Sequence, residues 1–185
     1  RSLQHSLVDP LATVVLDRAA ARWAPAASLP GEDPTFEAAV TAAVSAVARL
    51  TREGYDVTVI DAEGHPLGAP VPAGDTLAVE QLALDLATLV TGSDDRLAGL
   101  PRLFAGTVAG PVVVVSARVT TADADALAPL VAHSALPVLL AADSSDEAIA
   151  RASGAGWRAA VLSAEGDLTE TWRAATERGT ARAAF

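Results

Sequence analysis

The 185-residue chain contains no cysteine and only three histidines. Without thiols, disulfides, thiol catalysis and thiolate metal sites are excluded. The histidines lie far apart in sequence, so none belongs to the closely spaced pair that binds zinc. No apolar run approaches the roughly 20 residues that a membrane-spanning helix needs. These absences leave a chain whose metal chemistry would depend on oxygen ligands.

Positive charge is also scarce, because the chain has 13 arginines, no lysine and 23 acidic residues, which gives a net charge of −10. An acidic domain without a basic stripe is a poor candidate for binding nucleic acid or anionic lipid. We therefore expect no nucleic-acid partner and no direct membrane contact by this segment.

Aromatic residues make up 4% of the chain, and its apolar half consists mostly of Ala, Val and Leu. This length and composition suit one globular domain over residues 1–185. The sequence begins at Arg1 and not at Met, so we expect it to be excised from a longer protein. Residues 1–10 are predicted to be an extended lead-in and residues 180–185 a frayed tail.

Apolar runs alternate with amphipathic segments along the chain. Strands are predicted at residues 13–16, 55–60, 112–115, 136–142 and 157–162, with a short edge strand near 66–71. Helices are predicted to begin near Asp33, Asp75, Asp94, Thr120, Ser144 and Asp167, and Pro129 should bend or break the fourth of them. This order predicts a three-layer, doubly wound, mostly parallel sheet with strand order 3-2-1-4-5-6.

The first predicted strand runs directly into Asp17. Open α/β sheets bind ligands at the carboxyl ends of their strands, where Ser116 also follows a run of four valines. Asp17 is therefore either a ligand or partner contact, or a capping acid paired with Arg18 or Arg22. Trp23 lies in the loop after Asp17 and is a candidate exposed contact, whereas Trp157 and Trp172 occupy core-facing positions.

Several catalytic patterns are missing at these strand ends. Residues 18–24 contain no glycine, which excludes a dinucleotide-binding turn, and no G-x-S-x-G motif occurs. Asp17 and Ser116 fit two positions of a haloacid dehalogenase-like phosphohydrolase. That chemistry also needs a second acid, which Ala19 replaces, and a cation that lysine usually supplies.

Two segments resemble the von Willebrand factor A-like domain of domain-of-unknown-function family fifty-eight, in its actinobacterial members. The resemblance covers about residues 12–175. It depends on residues 36–40 (Phe-Glu-Ala-Ala-Val), Ser45, Leu50, 54–57 (Gly-Tyr-Asp-Val), 156–158 (Gly-Trp-Arg), 166–168 (Gly-Asp-Leu) and 172–174 (Trp-Arg-Ala).

The resemblance implies a biological setting. Members of that family carry two membrane helices before this domain and are encoded beside MoxR-type AAA+ ATPases. The domain would then lie at the cytoplasmic face of the cell membrane, as part of a longer membrane-anchored protein, and would bind a protein partner. A MoxR-type AAA+ ATPase is the expected partner.

Related von Willebrand A domains hold Mg²⁺ with a D-x-S-x-S motif after the first strand, because a hard cation needs several oxygen ligands. Here the window reads Asp17-Arg18-Ala19-Ala20-Ala21, so the acid remains while alanine replaces both hydroxyl residues. Arg18 adds positive charge nearby. We expect a degenerate site with no functional metal, in which Asp17 is a vestigial ligand.

The sequence therefore predicts a protein-interaction domain that is not an enzyme and uses no cofactor. The alternatives are a Mg²⁺-dependent adhesion-type von Willebrand A domain and the phosphohydrolase. The candidate partner surface is the carboxyl-end rim of the sheet, formed by Asp17, Arg18, Arg22, Trp23, Ser116 and Arg118.

Overall fold

A computed structural model describes residues 10–107 and 109–177. Most of the predicted lead-in and the whole predicted tail lie outside these residues. The strands are β1 (Leu11–Leu16), β2 (Asp56–Ile60), β3 (Ala109–Ala117), β4 (Ser134–Ala142) and β5 (Arg158–Leu162). The helices are α1 (Pro34–Arg52), α2 (Thr76–Leu86), α3 (Thr121–Val131), α4 (Asp146–Gly154) and α5 (Leu168–Glu177).

The five strands form one parallel sheet in the order β2-β1-β3-β4-β5. The central valines set its register, since Val14 lies opposite Val59 on one side and Val113 on the other. From β1 the chain crosses to β2 on one side and then returns to β3 on the other. The carboxyl ends of β1 and β3 therefore border the point where the winding reverses, which is the usual ligand position in such sheets.

Helices cover both faces of the sheet, so its strands are apolar on both sides. Val113 and Val115 face a core with α1, α2 and α5, while Val112 and Val114 face a second core with α3 and α4. The predicted α/β class with a parallel sheet flanked by helices is confirmed. Trp157 and Trp172 are buried, as their core-facing positions predicted.

The sheet has five strands and not six, because the short edge strand predicted near residues 66–71 does not join it, so the order 3-2-1-4-5-6 is not confirmed. Within the segment 66–71, Pro66 and Val71 form isolated antiparallel bridges to Ile60 and Val57 of β2. Prolines at positions 66, 70 and 72 lack the N–H groups that a continuous ladder requires. The segment therefore touches the edge of β2 without extending the sheet.

Helix ends follow the predicted caps with some exceptions. Asp33 caps α1, and Thr120 with Asp123 forms the capping box of α3. Pro129 does not break α3, which continues to Val131, and Ser145 rather than Ser144 caps α4.

The predicted helix near 94–104 is a 3-10 segment, Leu97–Phe104, that contains Pro101. Two further 3-10 turns, Ala20–Arg22 and Pro25–Ser28, lie in the loop between β1 and α1. In the part of the chain that the structure describes, no helix combines the length and apolarity needed to cross a bilayer.

Candidate functional site at the carboxyl end of the sheet

Asp17 lies directly after β1 and is fully buried. Its backbone N–H continues the sheet by donating to the carbonyl oxygen of Val115 at 2.9 Å. Its carboxylate accepts hydrogen bonds from the Ser116 hydroxyl at 2.8 Å and from the Ala19 N–H at 3.0 Å. The structure thus brings Asp17 and Ser116 into direct contact at the point of reversed winding.

Arg22 lies among three carboxylates at the same end of the sheet. Its guanidinium donates two hydrogen bonds to Asp123, at 2.8 and 2.9 Å, and a third to Asp95 at 2.9 Å. The Nε atom of Arg22 is also 3.5 Å from Oδ2 of Asp17. We call these four residues, Arg22, Asp17, Asp95 and Asp123, the Arg22 cluster.

Burial and charge act in opposite directions on this cluster. Burial raises the pKa of Asp17, and the hydrogen bonds from Ala19 and Ser116 and the charge of Arg22 offset this only in part. Burial also acts to raise the pKa of Asp123, but hydrogen bonds from Arg22 and Thr120 outweigh it and lower that pKa. The Asp123 and Asp95 carboxylates hold the pKa of Arg22 above its ordinary value despite burial, so its guanidinium stays charged.

The prediction that Trp23 is exposed is wrong, because only 3% of the residue is accessible. Its indole N–H donates to the carbonyl oxygen of Asp17 at 2.9 Å. Its ring packs edge-on against Phe36 of α1, with ring centroids 5.0 Å apart. Trp23 therefore fixes the loop after β1 to the first turn of α1.

The six predicted contact residues differ in their access to a partner. Asp17, Arg22, Trp23 and Ser116 are buried, so they cannot themselves form a contact surface in this conformation. Arg18 is half-buried, with a buried Nε atom that has no hydrogen-bond partner. Arg118 is exposed and lies 3.4 Å from the Asp143 carboxylate.

The arrangement fits neither a metal site nor a hydrolytic site at Asp17. Ala19 contributes a backbone N–H to Asp17 and has no side-chain oxygen that could bind a metal ion. Arg22 supplies a positive charge 3.5 Å from the Asp17 carboxylate. Since Asp17 and Ser116 are both inaccessible, a phosphate ester has no route to them in this conformation.

A second group of possible metal-ligand atoms follows β2. One carboxylate oxygen from each of Asp61 and Glu63 and a ring nitrogen of His65 lie within 4.8 Å of one another. Asp61 Oδ1 accepts the backbone N–H groups of Glu63 and His65, each at 2.9 Å. The His65 ring nitrogen lies 3.2 Å from the Glu63 carboxylate. These contacts are those of a tight turn held by its own side chains.

Sequence reasoning missed the roles of Asp95 and Asp123 beside Arg22. They are 73 and 101 residues away from Arg22 in the chain, so no local spacing relates them. Asp123 carries a capping-box signal, but that signal explains only its place at the start of α3.

Comparison of the chain with protein-family models, with curated proteins and with solved structures gives no match in any of the three.

Proposed function

We propose that this chain is a non-catalytic protein-interaction domain of von Willebrand A type, in which an arginine replaces the usual metal ion. The Arg22 cluster is the observation that carries this proposal. Three carboxylates meet a cation at the carboxyl end of the sheet, as carboxylates meet a divalent ion in metal-dependent relatives. Here the cation is a guanidinium fixed by a bidentate pair with Asp123.

The proposed partner is a MoxR-type AAA+ ATPase at the cytoplasmic face of the cell membrane, where a longer, membrane-anchored protein would present this domain. The resemblance supports the partner class, and exposed charges at the rim support a protein contact. Arg118 and Asp143 lie beside the Arg22 cluster with their side chains 49% and 71% accessible, and the Asp95 side chain within the cluster is 42% accessible. The Arg22 cluster would hold this rim in one shape.

Binding of the MoxR-type ATPase from the same organism tests the proposal. We expect wild-type protein to bind it in biolayer interferometry and Asp143→Asn to weaken binding by about 3-fold, because this removes an exposed negative charge from the rim of a domain whose net charge is −10. Glu170→Gln is the matched control, since the Glu170 side chain on α5 is 63% accessible and pairs with Arg173. No binding by the wild type, or equal loss in both variants, contradicts the proposal.

Divalent ions distinguish this proposal from a metal-dependent adhesion domain. A ligand that binds the folded state raises the melting temperature, so Mg²⁺ or Mn²⁺ at about 5 mM should leave the wild-type value unchanged. Arg22→Ala removes the guanidinium but keeps the carboxylates, and the same ions should raise its melting temperature. Stabilisation of the wild type that Asp17→Ala abolishes would favour the adhesion-type domain. No ion effect on Arg22→Ala would show that Arg22 does not occupy a cation position.

A further inference from the structure

A cleft of about 520 Å³ opens at the carboxyl end of the sheet beside β5. We define the β5 cleft by six of its lining residues: Trp23, Asp33, Arg118, Asp143, Val161 and Glu165. Its volume lies in the range of about 300–1,000 Å³ that is typical of ligand pockets. The cleft borders the Arg22 cluster, and Arg22 itself contributes to its wall.

Asp33 provides the evidence that the β5 cleft binds a ligand. It is 93% buried, since only 7% of it is accessible, and its Oδ2 atom is buried without a hydrogen-bond partner. Its other oxygen, Oδ1, caps α1 by accepting the N–H of Thr35 at 3.1 Å. Capping needs one oxygen and is served equally well by Asn or Ser, so it does not explain the second, unpaired oxygen.

The charge balance of the cleft shows which ligand would satisfy that oxygen. The lining carboxylates are Asp33, Asp143 and Glu165, while Arg22 is already held by Asp123 and Asp95. Arg118 balances Asp143 at 3.4 Å. Two carboxylates, those of Asp33 and Glu165, thus remain in excess, and they favour a cation that donates hydrogen bonds.

The walls of the cleft favour a flat cation with an apolar stem. Val161 is 47% accessible, and the buried Leu162 and Ala117 also line the cleft. A guanidinium is more weakly hydrated than an ammonium group, donates in a planar fork and packs on apolar surfaces. We propose that the β5 cleft binds an arginine side chain presented by a partner protein, with Asp33 as its principal acceptor once the side chain turns its unpaired Oδ2 atom towards the cleft. This deepens the proposed function and depends on it for the partner.

N-acetyl-arginine amide is the probe, and NMR titration of the protein is the measurement. A single side chain should bind with a dissociation constant of about 1 mM and shift the signals of the Trp23 indole and the backbone at 33–35. The citrulline counterpart has the same shape without the charge and should cause no saturable shift. Equal binding of both probes, or of neither, would overturn the proposal.

Two matched substitutions test the role of Asp33. Asp33→Asn keeps an acceptor for the helix cap and should weaken probe binding by about 10-fold, since it removes the charged oxygen. Asp75→Asn makes the same change at the cap of α2 and should leave binding unchanged. If Asp33→Asn melts early, Glu165→Gln, an exposed change, should still weaken binding by about 3-fold. Unchanged binding in both cleft variants contradicts the proposal.

Three further results separate this inference from its alternatives. Displacement of the probe by Mg²⁺ or Ca²⁺ at equal concentration would make the cleft a metal site and overturn the inference. Binding of the probe without binding of the ATPase would contradict the proposed partner alone. If the ATPase binds the wild type and Asp33→Asn equally well while the probe does not bind, only the arginine site in the β5 cleft is contradicted.

Discussion

Asp17 is a buried acid whose side chain and backbone are both engaged. Its carboxylate accepts from Ser116 and Ala19, its carbonyl oxygen accepts from Trp23, and Arg22 supplies charge. Every one of these contacts lies at the junction of β1, β3 and α1. A change in its ionisation would therefore act on the geometry of the whole rim.

The raised pKa of Asp17 predicts how its charge affects stability. The folded protein holds this proton more tightly than the unfolded chain does, starting from the ordinary value of 3.8. Between that value and the raised pKa, the free energy of unfolding contributed by Asp17 falls as pH rises. Asp17→Asn removes this contribution, so its stability relative to wild type should increase with pH across that window.

Urea denaturation of both proteins between about pH 4 and pH 7 measures this difference, because linear extrapolation gives the free energy of unfolding at each pH. Ser116→Ala provides an internal check. It removes a hydrogen bond that lowers the pKa of Asp17, so the window should extend to higher pH. A stability difference that decreases as pH rises would contradict the raised pKa.

The sequence predicts the position of a single residue where the apolar pattern of one strand is enough to place it. Valine-rich runs predict that Asp17 and Ser116 lie at strand ends, and in the structure the two side chains are hydrogen-bonded. The burial of Trp23 could not be predicted, because the composition of a loop does not determine whether an aromatic ring turns inward. Here the carbonyl oxygen of Asp17 and the ring of Phe36 hold the indole inside. Arg22 and its acids are related only through the fold.

At the scale of elements, β1 and β3 approach each other closely at Gly110. A Cβ atom at this glycine would collide with the carbonyl oxygen of Leu11, which is backbone and cannot rotate away. Strand β3 contains a buried valine run that pairs with β1 at four positions. Separation of the two backbones at Gly110 would therefore disturb the centre of the sheet.

Gly110→Ala should lower the free energy of unfolding by about 2–3 kcal/mol, the upper part of the usual range for overpacking, because the collision is with backbone. Gly154→Ala is the control, because a Cβ atom there meets nothing within 4 Å and the residue ends α4. Alanine favours a helix over glycine, so the control should be neutral or up to about 1 kcal/mol more stable. Equal denaturation midpoints for the two variants would show that β1 and β3 can separate without cost.

Element types were largely predictable, whereas the edge of the sheet was not. Long apolar runs predict the five strands and a capping residue predicts the start of α1. Both signals can be recognised because a strand's burial pattern and a helix's first hydrogen-bonded N–H groups depend on residues close in sequence. The segment 66–71 also has some strand character, but its bridges to β2 stop at two. Whether such a segment extends a sheet depends on N–H groups that its prolines lack.

At the scale of the whole molecule, the acids outnumber the cations and also pair with them. Among the described arginines, Arg22, Arg49, Arg96, Arg118, Arg151 and Arg173 each form an ion pair with an acid. The remaining acids leave the net charge at −10. The field around the domain is therefore negative and should attract a basic partner surface.

This field predicts a salt-dependent association rate with the proposed partner. Screening shortens the Debye length from about 20–30 Å near 0.01–0.02 M salt to under about 8 Å at 0.3 M, so steering between complementary charges weakens. We expect the association rate constant to fall by about 10-fold across that range, while the dissociation rate constant changes little. Surface plasmon resonance at four salt concentrations measures both constants.

Because Asp33 is buried and Glu165 exposed, Glu165→Gln should reduce the salt dependence of association more than Asp33→Asn. An association rate that rises with salt would mean that the partner presents acidic groups, and would contradict both the basic surface and the arginine in the β5 cleft.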